Sequence, residues 1–268
     1  MESRTVATRL GRLRIQVDGV GDAMVFWPSL LMTGDMWSAQ AAAFRDHLKV
    51  VLVDPPGHGA SEKLSAPFTF EDCAQCVVDV LDALGANQGH FVGNSWGGMI
   101  GGTFAALHPE RAGFSVLMNC TASAAGWRQR LEYGALLRVA RALGGIRGPL
   151  TREVLKAFLG PTTMRERPEV AGYVRAAVRS VDVESCSWAV TSVVPDRPDQ
   201  REVLGRVRTP VLVVAGAEDA TFPVAETLAM AAAIPGSASV VLDGVAHLAA
   251  LENPTLVNAL ISDFVLGA

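Results

Sequence analysis

Ser95 lies in Gly93-Asn94-Ser95-Trp96-Gly97, directly after the apolar run 88–92 and directly before the Gly- and Ala-rich stretch 98–107. This is a G-x-S-x-G in a strand-turn-helix context, the setting in which a serine is lifted to the tip of a sharp turn and exposed as a nucleophile. Such a turn needs strained backbone angles, and side chains two residues to either side of the serine would collide with each other or with the neighbouring strand. Glycine at 93 and 97 removes them. A helix starting under the serine also aims its first N–H groups at any negative charge that forms there.

A serine hydroxyl is a poor nucleophile at neutral pH, so the motif implies a base, an orienting acid and donors for an oxyanion. The base expected is His247, on the loop that follows the last strand-like run. The other histidines have structural explanations: His47 ends an amphipathic helix, His90 lies inside a strand, His108 precedes Pro109 at a helix end, and His58 belongs to a turn. The acid expected is Asp219 rather than its neighbour Glu218, because Gly216-Ala217-Glu218-Asp219 after the run 211–214 forms a Gly-x-x-Asp, the usual placement of such an acid after a strand. It would accept the Nδ1 proton of His247 and turn the other ring nitrogen toward Ser95. The chain order Ser95, Asp219, His247 differs from the two other common serine-triad orders.

These loops need a rigid frame. Residues 5–10 and 12–17 alternate polar and apolar about Gly11, a hairpin pattern. Short, nearly continuous apolar runs follow at 23–27, 49–53, 90–92, 114–118, 211–214 and 239–242. Runs of this kind between helical segments (36–47, 70–84, 97–107, 224–233 and 254–265) are the pattern of parallel strands buried on both faces. Between 119 and 210 the pattern is purely helical, at 127–143, 151–159, 167–180 and 184–192. The expected fold is therefore α/β, a mostly parallel, doubly wound sheet with an inserted helical cap. Its parts are a first core segment 1–120, a cap 121–200 over the carboxyl ends of the strands, and a second core segment 201–268.

The chain has 268 residues, half of them apolar, and a formal net charge of −4. That balance gives no electrostatic reason to seek nucleic acid or an anionic membrane. No apolar run approaches the roughly 20 residues of a membrane span. The polar start Met1-Glu2-Ser3-Arg4 lacks a signal-peptide core, so a cytoplasmic location is expected. The pair Cys73 and Cys76 forms a C-x-x-C on a helical segment. With no second pair at ligand spacing it reads as two small core or helix-surface thiols rather than as a metal or redox site.

The segment Asp54-Pro55-Pro56-Gly57-His58-Gly59-Ala60-Ser61 resembles the D-x-P-G-x-G-x-S turn of α/β-hydrolases, and 209–219 resembles their acid strand and loop. With the elbow and the chain order of the triad, the sequence resembles that superfamily over almost its whole length. Residues 93–99 and 246–252 are most similar to the 3-oxoadipate enol-lactonase branch and the small carboxylesterases near it. The resemblance implies a cofactor-independent, metal-free serine hydrolase acting on a small-molecule ester or lactone, with Ser95, Asp219 and His247 as its catalytic residues. Thioester cleavage, or carbon–carbon bond hydrolysis of a meta-cleavage product, would use the same triad. The carbon–carbon hydrolases usually carry tryptophan after the catalytic histidine, where this chain has Leu248. Aspartate-nucleophile branches, which open epoxides or remove halogens, are disfavoured, since they place aspartate where this chain has Ser95. A non-catalytic ligand-binding homologue is the more distant alternative.

One departure from the family stands out. The usual His-Gly after the strand that feeds the oxyanion hole is replaced by Pro28-Ser29, which puts the backbone N–H of Leu30 at the first donor position and that of Trp96 at the second. Ser29 could add a hydroxyl. The side chains expected at the substrate are Ser29, Leu31, Trp96, Phe222 and Leu248. Trp127 and Trp188 stand in the cap, where Arg128, Arg138, Arg141 and Arg175 are the cations available to a substrate carboxylate. Whether the chain forms a homo-oligomer is left open by the sequence.

Overall fold

In the computed structural model, residues 1–265 and 267 are described. Strands β1 (Glu2–Thr8), β2 (Gly11–Asp18), β3 (Ala23–Trp27), β4 (Lys49–Val53), β5 (Gly89–Asn94), β6 (Ala112–Met118), β7 (Val211–Gly216) and β8 (Ala238–Leu242) form one eight-stranded sheet in the order β1-β2-β4-β3-β5-β6-β7-β8. The hairpin β1–β2 turns between Thr8 and Gly11, and β2 pairs antiparallel to β4. Every later pairing is parallel. This is the fold expected from the run pattern.

Helices alternate with the strands: α1 (Ser38–Phe44), α2 (Phe70–Ala83), α3 (Trp96–Leu107), then the cap helices α4 (Trp127–Ala142), α5 (Pro149–Phe158), α6 (Pro161–Glu166), α7 (Pro168–Ser180) and α8 (Val183–Val193), then α9 (Arg201–Leu204), α10 (Val224–Ala232), α11 (Ala249–Glu252) and α12 (Pro254–Val265). Several details differ from the periodicity reading, among them the short helices α9 and α11, which it does not foresee. The segment expected as one helix over 36–47 is a 3-10 turn, Gly34–Trp37, followed by the short α1. Gly160-Pro161, read as a separator, opens α6, because proline is favoured in the first turn of a helix, where its missing N–H has no intrahelical partner to lose.

Why the central strands read as unbroken apolar runs is plain from burial. Successive residues pack into opposite layers: Val51 and Val53 face a core shared with α2 and α3 residues such as Val77 and Phe104, while Val50 and Leu52 face one shared with α1 and α12 residues such as Phe44 and Ile261. At the edges the alternation returns, with only Leu13, Ile15 and Val17 buried along β2, and with Val241 on β8 41% exposed.

The register aligns the carboxyl ends. Trp27 pairs with Gly93, Asn94 with Met118, Met118 with Val214, and Gly216 with Leu242. The loops that leave those five ends carry residues 28–33, the elbow, the entry to the cap, residues 217–222 and residues 243–248, so one edge of the sheet collects every segment that the sequence marked for chemistry.

Leu117→Ala, at a fully buried position in the middle of the sheet, is expected to cost about 2–5 kcal/mol in urea unfolding. Val241→Thr on the exposed edge is expected to stay within about 0.5 kcal/mol of wild type.

Candidate active site

The elbow is strained in the way the motif demands. Ser95 adopts φ 56° and ψ −113°, between the end of β5 and the first turn of α3. A Cβ on Gly93 would collide with the backbone of Gly97, and one on Gly97 would collide with the Trp27 carbonyl. Among the described residues, the non-glycine positions with positive φ are Leu31, Ser95 and Asn119, all at this edge of the sheet. Backbone strain of this kind persists only where surrounding contacts over-determine it.

Those contacts are on hand. The His247 carbonyl accepts from the Asn94 side-chain amide at 2.7 Å and from that of Asn119 at 2.9 Å. Asn119 also accepts from the Gly216 N–H at 2.7 Å, and Asn94 donates to the Ser29 hydroxyl at 2.7 Å. One buried network thus joins the segment after β3, the elbow, the end of β6, the acid loop and the histidine loop. Ser29 is fully buried within it, so its hydroxyl braces Asn94 instead of entering the cavity.

His247 and Asp219 meet as the sequence suggested. Nδ1 of His247 lies 2.9 Å from Oδ2 of Asp219, and the other carboxylate oxygen accepts from the N–H groups of Thr221 at 2.8 Å and Phe222 at 3.1 Å. Glu218 turns the opposite way, to the hydroxyl and N–H of Thr162. The imidazole sits between the rings of Phe158 and Phe222, with centroids at 5.3 and 5.6 Å, and is 1% exposed. Ser95 and His247 line the same cavity, of about 380 Å³, between the sheet edge and cap helices α4, α5 and α8. Among the described residues no side chain hydrogen-bonds to the Ser95 hydroxyl.

The backbone N–H groups of Leu30 and Trp96 have no acceptor among the described residues. The Trp96 N–H is one of the orphan donors of the α3 N-terminus. Leu30 is held in place by its successor: the Leu31 N–H, at φ 66°, donates to Nε2 of His58 at 3.1 Å, while Nδ1 of His58 donates to the Pro56 carbonyl at 3.0 Å. Asp54 completes the brace by accepting from the Gly34 and Ala60 N–H groups, both at 3.0 Å. The turn 54–61 therefore secures the loop that replaces the usual His-Gly.

The cavity walls correct part of the sequence-based expectation. Leu30, Leu31 and Phe222 line it. The Trp96 side chain does not. It is fully buried against Trp27 and Phe68, with ring centroids at 5.8 and 5.6 Å. Leu248 is likewise fully buried, in the layer with α12. None of Arg128, Arg138, Arg141 and Arg175 is among the lining residues. Arg197 is, within Pro195-Asp196-Arg197-Pro198, where no periodicity marks it. Its guanidinium donates to the Ser123 carbonyl at 2.8 Å and lies 5.5 Å from the centre of the Phe222 ring. Cys73 and Cys76 are buried on α2, and burial pushes the Cys76 thiol up to about 11, as suits core thiols. Among the described residues no group of three or more histidine, cysteine or acidic side chains is arranged to hold a metal, and no helix is long and apolar enough to cross a membrane.

The profile of the α/β-hydrolase fold matches residues 22–254. The chain belongs to that family. It is 30% identical to 3-oxoadipate enol-lactonase 2 of Acinetobacter baylyi over 88% of this chain and 85% of that one. It is 29% identical to a 2-hydroxy-6-oxononadienedioate/2-hydroxy-6-oxononatrienedioate hydrolase of Paraburkholderia phymatum over 81% of this chain and 76% of that one. A thermophilic esterase from Thermogutta terrifontis superposes with a TM-score of 0.91 at 25% identity, over 100% of this chain and 99% of that one.

Burial holds His58 and His90 below the ordinary histidine value of 6.5. A histidine whose folded-state pKa is depressed stabilises the fold above its unfolded pKa, because below that point the unfolded chain takes up the proton first. Stability is therefore expected to decline as pH falls below about 6.5. His58→Gln, which keeps an acceptor for Leu31 but cannot protonate, should reduce that slope in urea titrations at pH 5 and 7. An unchanged slope would contradict the role given to His58.

Proposed function

We propose that the protein is a cofactor-independent serine hydrolase that cleaves a small ester or lactone through an acyl-enzyme. The observation that carries this reading is the meeting at one cavity of Ser95, the Asp219-paired His247 and Leu30, with the backbone N–H groups of Leu30 and of Trp96, the residue after Ser95, left without an acceptor. The Ser95 hydroxyl attacks the carbonyl carbon while Nε2 of His247 takes its proton. Asp219 keeps the ring in the required tautomer and stabilises the imidazolium. The oxyanion is held by Leu30 and Trp96, with the α3 N-terminus adding its partial positive charge. Collapse of the tetrahedral species expels the alcohol oxygen, which takes the proton from His247. In a lactone this oxygen stays tethered to the acyl group. A water deprotonated by His247 then attacks the acyl-enzyme and frees Ser95.

The relative named as an enol-lactonase favours a lactone or a small ester, and the cavity falls within the range of about 300–1,000 Å³ usual for small-molecule sites. About half of its wall residues are leucine, valine, phenylalanine or tyrosine, which suit an apolar acyl or alcohol portion, and Glu132, Glu153, Lys156 and Arg197 also reach it. The 29% identical relative named for 2-hydroxy-6-oxo acids supports a second reading, carbon–carbon bond hydrolysis by the same residues. Product analysis on an ester, a lactone and a vinylogous 1,5-diketone separates the two.

Ser95→Ala is expected to lower kcat by about 10³-fold or more while the melting temperature stays near that of wild type. Turnover of short-chain p-nitrophenyl esters above about a tenth of wild type in that variant would contradict the assignment.

A further inference from the structure

Glu252, five residues beyond His247, is fully buried. Its Oε1 accepts from the N–H groups of Ala246 and Leu248, both at 3.0 Å, which are the amides on either side of His247. Its Oε2 accepts from the Thr163 hydroxyl at 2.6 Å and the Gly160 N–H at 3.4 Å, at the start of cap helix α6. Gly160 is tightly enclosed, since a Cβ there would meet Glu218 and Ala246. Glu218, beside Asp219 in sequence, grips Thr162 in the same turn. The entry to α6 is thus fastened by two carboxylates, one adjoining each of the loops that carry the acid and the base.

Burial raises the Glu252 carboxyl pKa, and the four donors offset only part of that cost. An acid placed solely to anchor the cap would need only Oε2. Spending Oε1 on both His247-flanking amides gives the histidine backbone a second hold, opposite the one that Asn94 and Asn119 exert on its carbonyl. We propose that Glu252 is a positioning residue for His247, and that the seating of the cap on Thr163 and Gly160 is transmitted through its carboxylate to the base. The proposal rests on the hydrolase reading above. A base displaced by a fraction of an ångström loses the alignment on which proton transfer depends.

The test measures kcat and KM for a short-chain p-nitrophenyl ester in wild type, Glu252→Gln and Thr163→Val, and again with each change placed on His247→Ala. Glutamine has one carbonyl oxygen where glutamate has two acceptors, so it cannot serve the histidine loop and the cap together. Glu252→Gln is expected to lower kcat about 10- to 100-fold and Thr163→Val about 3- to 10-fold, with KM within about threefold of wild type. On His247→Ala neither change should lower the residual rate by more than about twofold, because the group being positioned is gone. A structural role alone would produce the same proportional loss with and without His247, and that result overturns the proposal. So do kcat values within about twofold of wild type in both variants. If Glu252→Gln fails to fold, Thr163→Val decides by the same criteria. Wild-type protein inert toward esters overturns the hydrolase reading and this proposal with it, whereas a failed cycle with active wild type overturns this proposal alone.

Discussion

Everything at the carboxyl edge of the sheet follows from one strained residue. Ser95 stands at φ 56° and ψ −113° so that β5 can end and α3 begin with only this one residue between them. That conformation costs on the order of 1–3 kcal/mol for a residue with a side chain. It is sterically open only because Gly93 and Gly97 leave room for each other and for the Trp27 carbonyl. In return Ser95 lines the cavity at the N-terminus of a twelve-residue helix, whose first residue, Trp96, has a backbone N–H with no acceptor among the described residues.

The strain is held by polar groups, not by apolar packing alone. Asn94 and Asn119 converge on the His247 carbonyl, Ser29 is drawn into the same network, and Asn119 reaches the Gly216 N–H. In a buried setting each of these groups is costly to leave unpaired, so the network permits few arrangements of the loops it joins. A second brace runs from the 54–61 turn through His58 to Leu31 and meets the cap at Cys186, whose Sγ lies 3.4 Å from Nε2 of His58. Ser185 adds a bond from its hydroxyl to the Gly57 carbonyl at 3.2 Å. The cap therefore rests on both sides of the cavity, at α8 against the 54–61 turn and at α6 against the histidine loop.

The fold was legible because buried parallel strands and amphipathic helices have different apolar periods, and because glycine at 93 and 97 has few other uses. The pairing of Asp219 with His247 was legible from loop positions after strands, and Glu218 was separable from Asp219 by one residue of offset. The cavity walls were not. Ser29, Trp96 and Leu248 adjoin Leu30, Ser95 and His247 in sequence, yet each of their side chains is buried in the interior. Arg197 approaches the cavity from an irregular segment, and Glu252 acts through hydrogen bonds to backbone amides. Neither leaves a periodic trace. The α6 helix was missed because a proline that normally interrupts periodicity here occupies the first helical turn.

The central claim is that Ser95 is an activated nucleophile facing a formed oxyanion hole. Its most direct test is incubation of the purified protein with a fluorophosphonate probe, followed by intact mass and peptide mapping. The account predicts one adduct per chain, on Ser95, with loss of ester turnover in proportion to labelling. An unlabelled protein, or an adduct on another residue, would contradict it.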